Sequence, residues 1–474
     1  MNNEWTFVLD FALVGLLLAS ATVLKRKVSL FRKYLMPDAI IAGFLGLLAG
    51  PSCLRLIPLD LDRLGTLVYH LMAIGFIALT LKDRERAKNR DITNTGAMIV
   101  STYLVQGILG FGLSLLLVSL VYPDLFPPFG LLLPLGFGQG PGQAYSIGRQ
   151  WESLGFANGG NIGLSVAALG YIWACFGGVF LINFLIRRHK IDWQKQKQKQ
   201  NAKKVVYETD HAGEMALSES IDKFSIQLAL IGIVYLVTYL TISGVSIVLK
   251  PFGTFGTTLS QLLWGFHFII ASLYALLTRA VLNYAQRKGW MHRPQLSNYL
   301  LQRISGGCFD FMIAAAIAGI SLTVLREYLV PTLIITTLGG ILTMVYICFV
   351  CKRLYRRYGL ENTLALYGML TGTISTGLAL LREVDPDFSS PSAEYMVLGS
   401  GVGLAFGFPM MILLNLPTVG YVNQQPVLYF LSMLGFVAYL IILGLFMYWN
   451  RPKNITAGPL TLGIDQIGRG ERVS

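Results

Sequence analysis

The sequence contains few charged residues, and this scarcity excludes most classes of soluble protein. Asp, Glu, Lys and Arg make up 13% of the 474 residues, whereas a soluble domain carries roughly 25%. Apolar residues make up 54%, which is far more than a disordered chain contains. Five cysteines in a chain of this length are too few for a secreted disulfide scaffold. The composition therefore predicts a polytopic membrane protein.

Clusters of catalytic or metal-binding residue types are also missing from the sequence. His189, His211 and His292 lie isolated in basic stretches, without the Cys or carboxylate spacing of a metal site. Cys348 and Cys351 form a single CxxC at the end of an apolar run, which predicts small apolar fillers. A net charge of +13 suggests nucleic acid as a partner for a soluble protein, but these basic residues flank apolar runs. We therefore expect neither an enzyme nor a nucleic-acid partner.

Long apolar runs dominate the chain. A helix needs about 20 apolar residues to cross a bilayer, and eleven runs meet this requirement: residues 5–24, 38–57, 65–81, 95–121, 160–186, 224–249, 257–278, 304–325, 331–351, 393–416 and 424–449. Two further segments, 129–150 and 361–382, are moderately apolar and rich in Gly, Pro and small polar residues. We interpret these two segments as re-entrant hairpins, which dip into the membrane and return to the side they came from.

The basic residues predict the orientation of the chain in the membrane. Alternate connecting stretches hold 33 of the 38 Lys and Arg residues, namely 25–37, 82–92, 187–223, 279–304, 352–390 and 451–474. Because cytoplasmic loops carry the excess of Lys and Arg, this asymmetry predicts an external N-terminus and a cytoplasmic C-terminus. The count holds only if both hairpins are re-entrant, since a full crossing by either one would move every later loop to the opposite side.

The order of these elements divides the chain into two similar halves. Residues 1–186 form a first repeat of five spans and a hairpin, and residues 224–420 form a second one. A cytoplasmic linker, 187–223, joins the halves, and residues 421–474 add an extra span and a tail. An odd number of spans per half inverts the second repeat, as in many secondary transporters. The predicted fold is an all-α polytopic membrane protein with two inverted five-helix repeats, each with a re-entrant hairpin, plus an extra C-terminal transmembrane helix.

Local sequence matches agree with this repeat. Two glycines have the same spacing in both hairpins, namely Gly136 and Gly140 in the first and Gly368 and Gly372 in the second. Aligning the third span of each half places His70 opposite Asp310. An ionisable residue inside a span is costly and needs a reason. A role in coupling a cation or a proton is one interpretation for this pair, and a structural pairing with neighbouring backbone is the other.

The hairpins are the predicted binding site. Pro141 stops a helix from continuing through 139–143, and half-helix ends at the membrane centre attract carboxylates or, through freed carbonyls, Na+. The residues predicted to bind the solute are Gln139, Gly140, Gly142, Gln143, Thr371, Thr373, Ser375, Thr376, Arg382 and Asn415. The residues predicted to couple the ion are Gly138, Gly372, His70 and Asp310. The alternative is that the glycines and threonines only permit close helix packing.

Several stretches, in the right order, resemble the sodium/glutamate symporter family. They are Phe31 to Gly43, Gly136 to Ala144, Ala168 to Gly178, Tyr358 to Gly377, and Gly407 to Asn415. The resemblance covers about residues 5–420. It implies an elevator-type symporter in the plasma (inner) membrane, which carries glutamate or a related small anionic solute together with Na+. It also implies a homodimer, with the solute held between the hairpin tips.

The residues leave some alternatives open. Hydroxyl and carbonyl oxygens suit Na+ as the coupling ion, whereas His70 and Asp310 suit H+. A carrier of the same fold with a different solute is the alternative to a glutamate transporter. A channel needs a pore lined by rings of polar residues, and a membrane-embedded transferase needs a catalytic cluster near the interface. The sequence shows neither pattern, so both of these functions are less well supported.

Overall fold

The computed structural model describes residues 3–33, 36–82, 90–188, 217–252, 256, 260, 263–265, 267–289, 296–355, 357–385 and 390–450. Every element of regular secondary structure within these ranges is a helix. Most of the predicted linker, 189–216, and all of the tail after residue 450 lie outside the described residues. The predicted boundaries of these two segments therefore stay predictions.

The first half of the chain forms a series of helices with one broken segment. The helices are α1 (Asn3–Lys27), α2 (Ser29–Lys33), α3 (Asp38–Ala49), α4 (Leu61–Leu81), α5 (Arg90–Leu120), α6 (Pro141–Glu152), α7 (Gly159–Ile172) and α8 (Gly178–Arg188). A 3-10 turn (Pro127–Leu131) and a π-helical turn (Pro134–Gln139) precede α6. A second π-helical turn (Trp173–Gly177) joins α7 to α8 within a single apolar span.

The second half contains a similar series. Its helices are α9 (Leu217–Leu249), α10 (His267–Arg287), α11 (Asn298–Ala318), α12 (Leu322–Glu327), α13 (Leu329–Leu354), α14 (Gly359–Thr371), α15 (Ile374–Val384), α16 (Ser392–Val422) and α17 (Val427–Trp449). The second broken segment consists of α14 and α15, which are separated by two residues. The last helix, α17, packs against α5 and α16.

Ten helices among the described residues are long and apolar enough to cross a membrane, and each overlaps one of the predicted runs. The prediction of a full-length span at 38–57 is wrong, because α3 contains only 12 residues and is about 18 Å long. The helix ends at Ala49 because Gly50 and Pro51 follow it, and Pro51 cannot continue a helix. The chain then turns through Arg55, whose backbone is left-handed (φ 56°).

The helices pack into two bodies. The first body contains α1, α3, α4, α9, α10 and α11, whose buried apolar side chains form two neighbouring clusters, and residues of α6 and of the α7–α8 span, such as Tyr145 and Tyr171, pack into the larger of them. The second body contains α5, the broken segment 127–152, the span of α7 and α8, and helices α13 to α17 around a single larger core. Each half of the chain therefore supplies its first helices to the first body and its broken segment to the second.

Small residues allow close packing inside the first body and along its boundary with the second. A β-carbon at Gly43 of α3 would lie 2.5 Å from Cβ of Ile317, so the two backbones pack closely. Across the boundary, Gly142 of α6 packs directly on Met72 of α4. The boundary thus places the start of α6, where the first broken segment resumes, against the centre of the first body.

Candidate functional site

The first broken segment changes direction at Gly140. The π-helical turn ends at Gln139, and Gly140 then adopts φ 100°, which is a conformation that favours glycine. Pro141 begins α6, and proline suits the first position of a helix because its missing N–H needs no partner there. A β-carbon at Gly140 would meet no atom within 4 Å. The break therefore borders open space.

The second broken segment is held together by one hydroxyl group. The Oγ1 of Thr376 donates to the carbonyl oxygen of Gly368 at 2.6 Å and accepts from the backbone N–H of Thr373 at 2.8 Å. These two bonds join the end of α14 to the start of α15, across Gly372. A β-carbon at Gly372 would lie 2.6 Å from the same Oγ1, so glycine leaves room for this connection.

The two breaks meet at α7. A β-carbon at Gly170 of α7 would lie 2.5 Å from the carbonyl oxygen of Thr371 and 2.9 Å from the ring of Phe137. Thr371 is the last residue of α14, and Phe137 belongs to the π-helical turn before Gly140. One glycine thus contacts both broken segments, and α7 brings together two regions that lie more than 200 residues apart in the sequence.

Two helix N-termini point into this region. α6 starts directly after Gly140, and α15 starts directly after Thr373. Helix N-termini carry free N–H groups and partial positive charge, so they attract anions. The side chain of Gln139 adds a further donor, because its Nε2 is buried and has no hydrogen-bond partner among the described residues. The electrostatic character of the breaks therefore suits a carboxylate.

Most of the predicted solute-binding residues lie at the two breaks. In the first break these are Gln139, Gly140, Gly142 and Gln143, and in the second Thr371, Thr373, Ser375 and Thr376. Two of the four hydroxyls at the second break already donate hydrogen bonds to backbone carbonyls of the protein. Thr376 joins the two arms, and Thr371 donates to the carbonyl of Tyr367 in its own helix at 2.7 Å.

Arg382 and Asn415 lie away from the breaks. Arg382 is exposed in the last turn of α15, about 13 Å along the helix from Thr373. Asn415 is buried in α16, where its Nδ2 donates to the carbonyl of Met411 at 2.8 Å. The α16 residues Met396 and Ser400 contact the second broken segment, and Ser400 is about 20 Å along the helix from Asn415.

His70 and Asp310 lie in the first body. The Nδ1 of His70 is 2.6 Å from the phenolic oxygen of Tyr235 on α9, so this side chain has a side-chain partner. Asp310 is exposed on α11, the helix that packs most extensively on α4. The predicted ion-coupling glycines, Gly138 and Gly372, are instead part of the breaks.

Sequence reasoning missed Gln106 of α5, which contacts both breaks. Its Nε2 donates to the carbonyl of Leu370 and to the Oγ1 of Thr343, each at 3.0 Å. Its Oε1 would lie 2.9 Å from a β-carbon at Gly138. The one available signal was a Gln in the middle of a long apolar run, where a polar side chain needs a partner.

The second π-helical turn was also missed. It lies in the middle of the span formed by α7 and α8, and π-helical turns inside helices are frequent at functional sites. The hydroxyl of Tyr367, on α14, donates to the carbonyl of Trp173 in this turn at 2.9 Å. Gly372 of the second break packs near Ala174 of the same turn. Three irregular segments therefore lie together in the second body.

The ten long apolar helices make the chain a multi-pass membrane protein. The sequence profile of the sodium/glutamate symporter family matches residues 4–365, which is about three quarters of the chain. The chain therefore belongs to the sodium/glutamate symporter family, which is a family of membrane transporters and not of enzymes. No curated protein matches the chain. The matched region includes the whole first break but ends inside α14, before the second break.

Proposed function

We propose that this protein is a symporter that carries glutamate or a related small anionic solute together with Na+. The family supports a sodium-coupled transporter. The observation that carries the solute assignment is the meeting of two broken segments at Gly170, each with a helix N-terminus at its break. Glutamate has two carboxylates, and each N-terminus can accept one of them. Freed backbone carbonyls near Gly138 and Gly372 suit Na+.

The packing supports an inverted repeat with two re-entrant hairpins. The helices α1, α3 and α4 of the first half correspond to α9, α10 and α11 of the second. α3 packs on α1 and on α11, and α10 packs in the same way on α9 and on α4. Each helix therefore has the same neighbours when the two halves are exchanged. Contacts between chain segments also agree with the predicted orientation. Asn94 and Asn450, which both lie on the predicted cytoplasmic side, form a hydrogen bond of 2.9 Å between their side chains. Asp10, which lies in the external half of the first predicted span, and Arg63, in a predicted external loop, form an ion pair.

The division into two bodies supports elevator-type movement. Both breaks belong to the second body, and the chain passes between the bodies after α4, α8 and α11. If the second body slides along the first, it carries the solute site from one side of the membrane to the other. The boundary is partly polar at its predicted external end, where Ser146 donates to the carbonyl of Gly265 at 2.7 Å.

The positions of the candidate ion-coupling residues favour Na+ over H+. Gly138 and Gly372 lie at the breaks, whereas His70 and Asp310 lie in the first body. A coupling ion has to bind in the presence of the solute, and oxygen atoms at the breaks are better placed for that role. Proton coupling through His70 and Asp310 is the alternative. The resemblance to the family also leads us to propose a homodimer in the inner membrane.

Uptake by proteoliposomes tests this function. Purified protein is reconstituted, and the accumulation of labelled glutamate is measured with an inward Na+ gradient, with an inward H+ gradient, and with no gradient. We expect accumulation that needs the Na+ gradient. Accumulation driven only by the H+ gradient would favour the alternative coupling ion. Folded protein that accumulates no glutamate under any gradient would contradict the proposed solute.

A further inference from the structure

We propose that Gln106 is a binding residue, whose side-chain oxygen Oε1 contacts a cation between the two breaks. This inference rests on the proposed function. Gln106 lies in the middle of α5 and is 1% exposed. Its Oε1 is buried and has no hydrogen-bond partner within the described part of the chain. A buried acceptor without a partner costs the free energy of its lost hydration. A ligand that supplies positive charge or a hydrogen-bond donor to Oε1 would offset this cost.

The orientation of the Gln106 amide is fixed by its neighbours. The carbonyl of Leu370 can only accept a hydrogen bond, so the amide nitrogen has to face it. The second bond of this nitrogen goes to Thr343 of α13. The oxygen atom is consequently the free end of the side chain. This end lies beside Gly138, at the first break.

The carbonyl of Leu370 needs an outside donor because α14 ends one residue later. In a continuous helix, the N–H four residues ahead would donate to this carbonyl, but the chain is broken at Gly372. Gln106 therefore caps the second break with its nitrogen and presents its oxygen to the first. A ligand bound at Oε1 would be held by a side chain that also fixes the geometry of the second break.

The chemistry of the ligand follows from the atom that faces it. An amide oxygen accepts hydrogen bonds and coordinates hard cations such as Na+, and it repels a carboxylate. Two cations arise in the proposed transport cycle, namely the coupling Na+ and the ammonium group of an amino-acid solute. Both offer positive charge to the same oxygen, and the experiment separates them.

The variant that tests the inference is Gln106→Met, which keeps the length of the side chain and removes its polar atoms. In proteoliposomes we expect the half-saturating concentration of one cation-bearing ligand to rise at least about tenfold, as for the loss of one charge-assisted contact. If the half-saturating concentration of Na+ rises at saturating glutamate, and Na+ no longer increases the melting temperature, then the cation at Oε1 is Na+. If only the half-saturating concentration of glutamate rises, and inhibition by glutarate (which lacks the amino group) is unchanged, then the cation at Oε1 is the ammonium group of the solute.

Two further variants separate binding from folding. Thr343→Val removes one partner of the amide and leaves Oε1 in place, so we expect unchanged half-saturation for both ligands. Gln106→Glu keeps an oxygen at this position and loses the amide donors, so cation binding should persist while stability falls. The inference is overturned if Gln106→Met lowers only the melting temperature and leaves both half-saturating concentrations unchanged. It is also overturned if Thr343→Val raises these concentrations as much as Gln106→Met does.

The proposed function and this inference fail in different ways. If the wild-type protein accumulates no glutamate, the proposed solute is contradicted, but the Na+-induced change in melting temperature still compares wild type with Gln106→Met. If the wild-type protein transports and Gln106→Met shows the same ligand dependence, the inference about Gln106 is contradicted and the proposed function stands.

Discussion

The two bodies are both built from apolar helices, but among the described residues only the second contains broken helices, and some of its polar side chains are used differently. In the first body, the buried hydroxyls of Thr238 and Ser272 donate to carbonyls of their own helices. In the second body many buried hydroxyls do the same, but Gln106 and Tyr367 donate to backbone carbonyls of other segments beside the breaks. The difference follows from the broken helices, which leave carbonyls without donors. At the second break, a side chain from another helix therefore takes the place of the missing helical donor, as Gln106 does for Leu370.

The largest expected effect comes from Gly140→Ala. Open space surrounds this position, so the cost is purely conformational: a residue other than glycine at φ 100° costs about 1–3 kcal/mol. We expect glutamate uptake to fall to background, because the first break has to change shape. The control is Gly244→Ala in α9, which also borders open space but lies within a regular helix. Equal uptake by the two variants would contradict the importance of this break.

Thr376→Val should have the next largest effect. The change removes a donor to Gly368 and an acceptor for Thr373, and unsatisfied buried groups cost about 1–3 kcal/mol each. We expect a lower melting temperature and uptake reduced more than about tenfold, as misplaced binding groups typically cause. Thr238→Val in the first body is the matched control, and it should retain uptake. A similar loss in both variants would mean that the two bodies do not differ in this respect.

Pro417 and Ser432 provide a test of how the second body tolerates irregular helices. Pro417 has no N–H to donate to the carbonyl of Leu413, and the Oγ of Ser432 on α17 donates to that carbonyl at 3.0 Å. Ser432→Ala should therefore lower the stability by about 1 kcal/mol. In a Pro417→Ala background the same change should cost little, since the alanine introduced there has an N–H that can donate to Leu413. Additive changes in the melting temperatures of the four proteins would refute this coupling.

The smallest expected effect is at the boundary between the bodies. Arg149 of α6 pairs with Glu152 at 2.7 Å and approaches Asp62 of α4 at 4.0 Å, and its side chain is half exposed. Exposed ion pairs contribute about 0–1 kcal/mol, so Arg149→Gln should change the melting temperature and uptake only slightly. Glu152→Ala should be more harmful, because it also removes the acceptor for the N–H of Gly160. The reverse order would show that the boundary pair is the more important contact.

Much of the fold could be predicted from the sequence because the apolar runs have the length of a bilayer. The helix breaks are equally visible in the sequence, since proline at 141 cannot continue a helix and clustered glycines weaken one. The predicted span at 38–57 is too long because residues 50–57 are apolar enough to extend the run, whereas Gly50 and Pro51 end the helix.

The composition of the site was harder to predict because it depends on contacts between distant segments. Gly170 looks like an ordinary member of an apolar span, and Gln106 shows only that it needs a partner. The packing of α5 and α7 is what brings both residues to the breaks. Arg382 lies close to Thr376 in the sequence, yet the rise of α15 carries it away from the break. Sequence proximity therefore overestimates the number of residues that share a site when the connecting segment is a helix.

The central claim is that one solute binds between the two breaks of the second body, and thiol protection tests it most directly. Ser375 lies half-buried in the first turn of α15. The substitution Ser375→Cys is made in a variant from which every native cysteine except Cys53 has been removed. The exposed Cys53 of the first body then serves as the internal control. We predict that glutamate with Na+ slows modification of the cysteine at position 375 and leaves Cys53 unaffected. Unchanged modification at position 375, in protein that still accumulates glutamate, would contradict the claim.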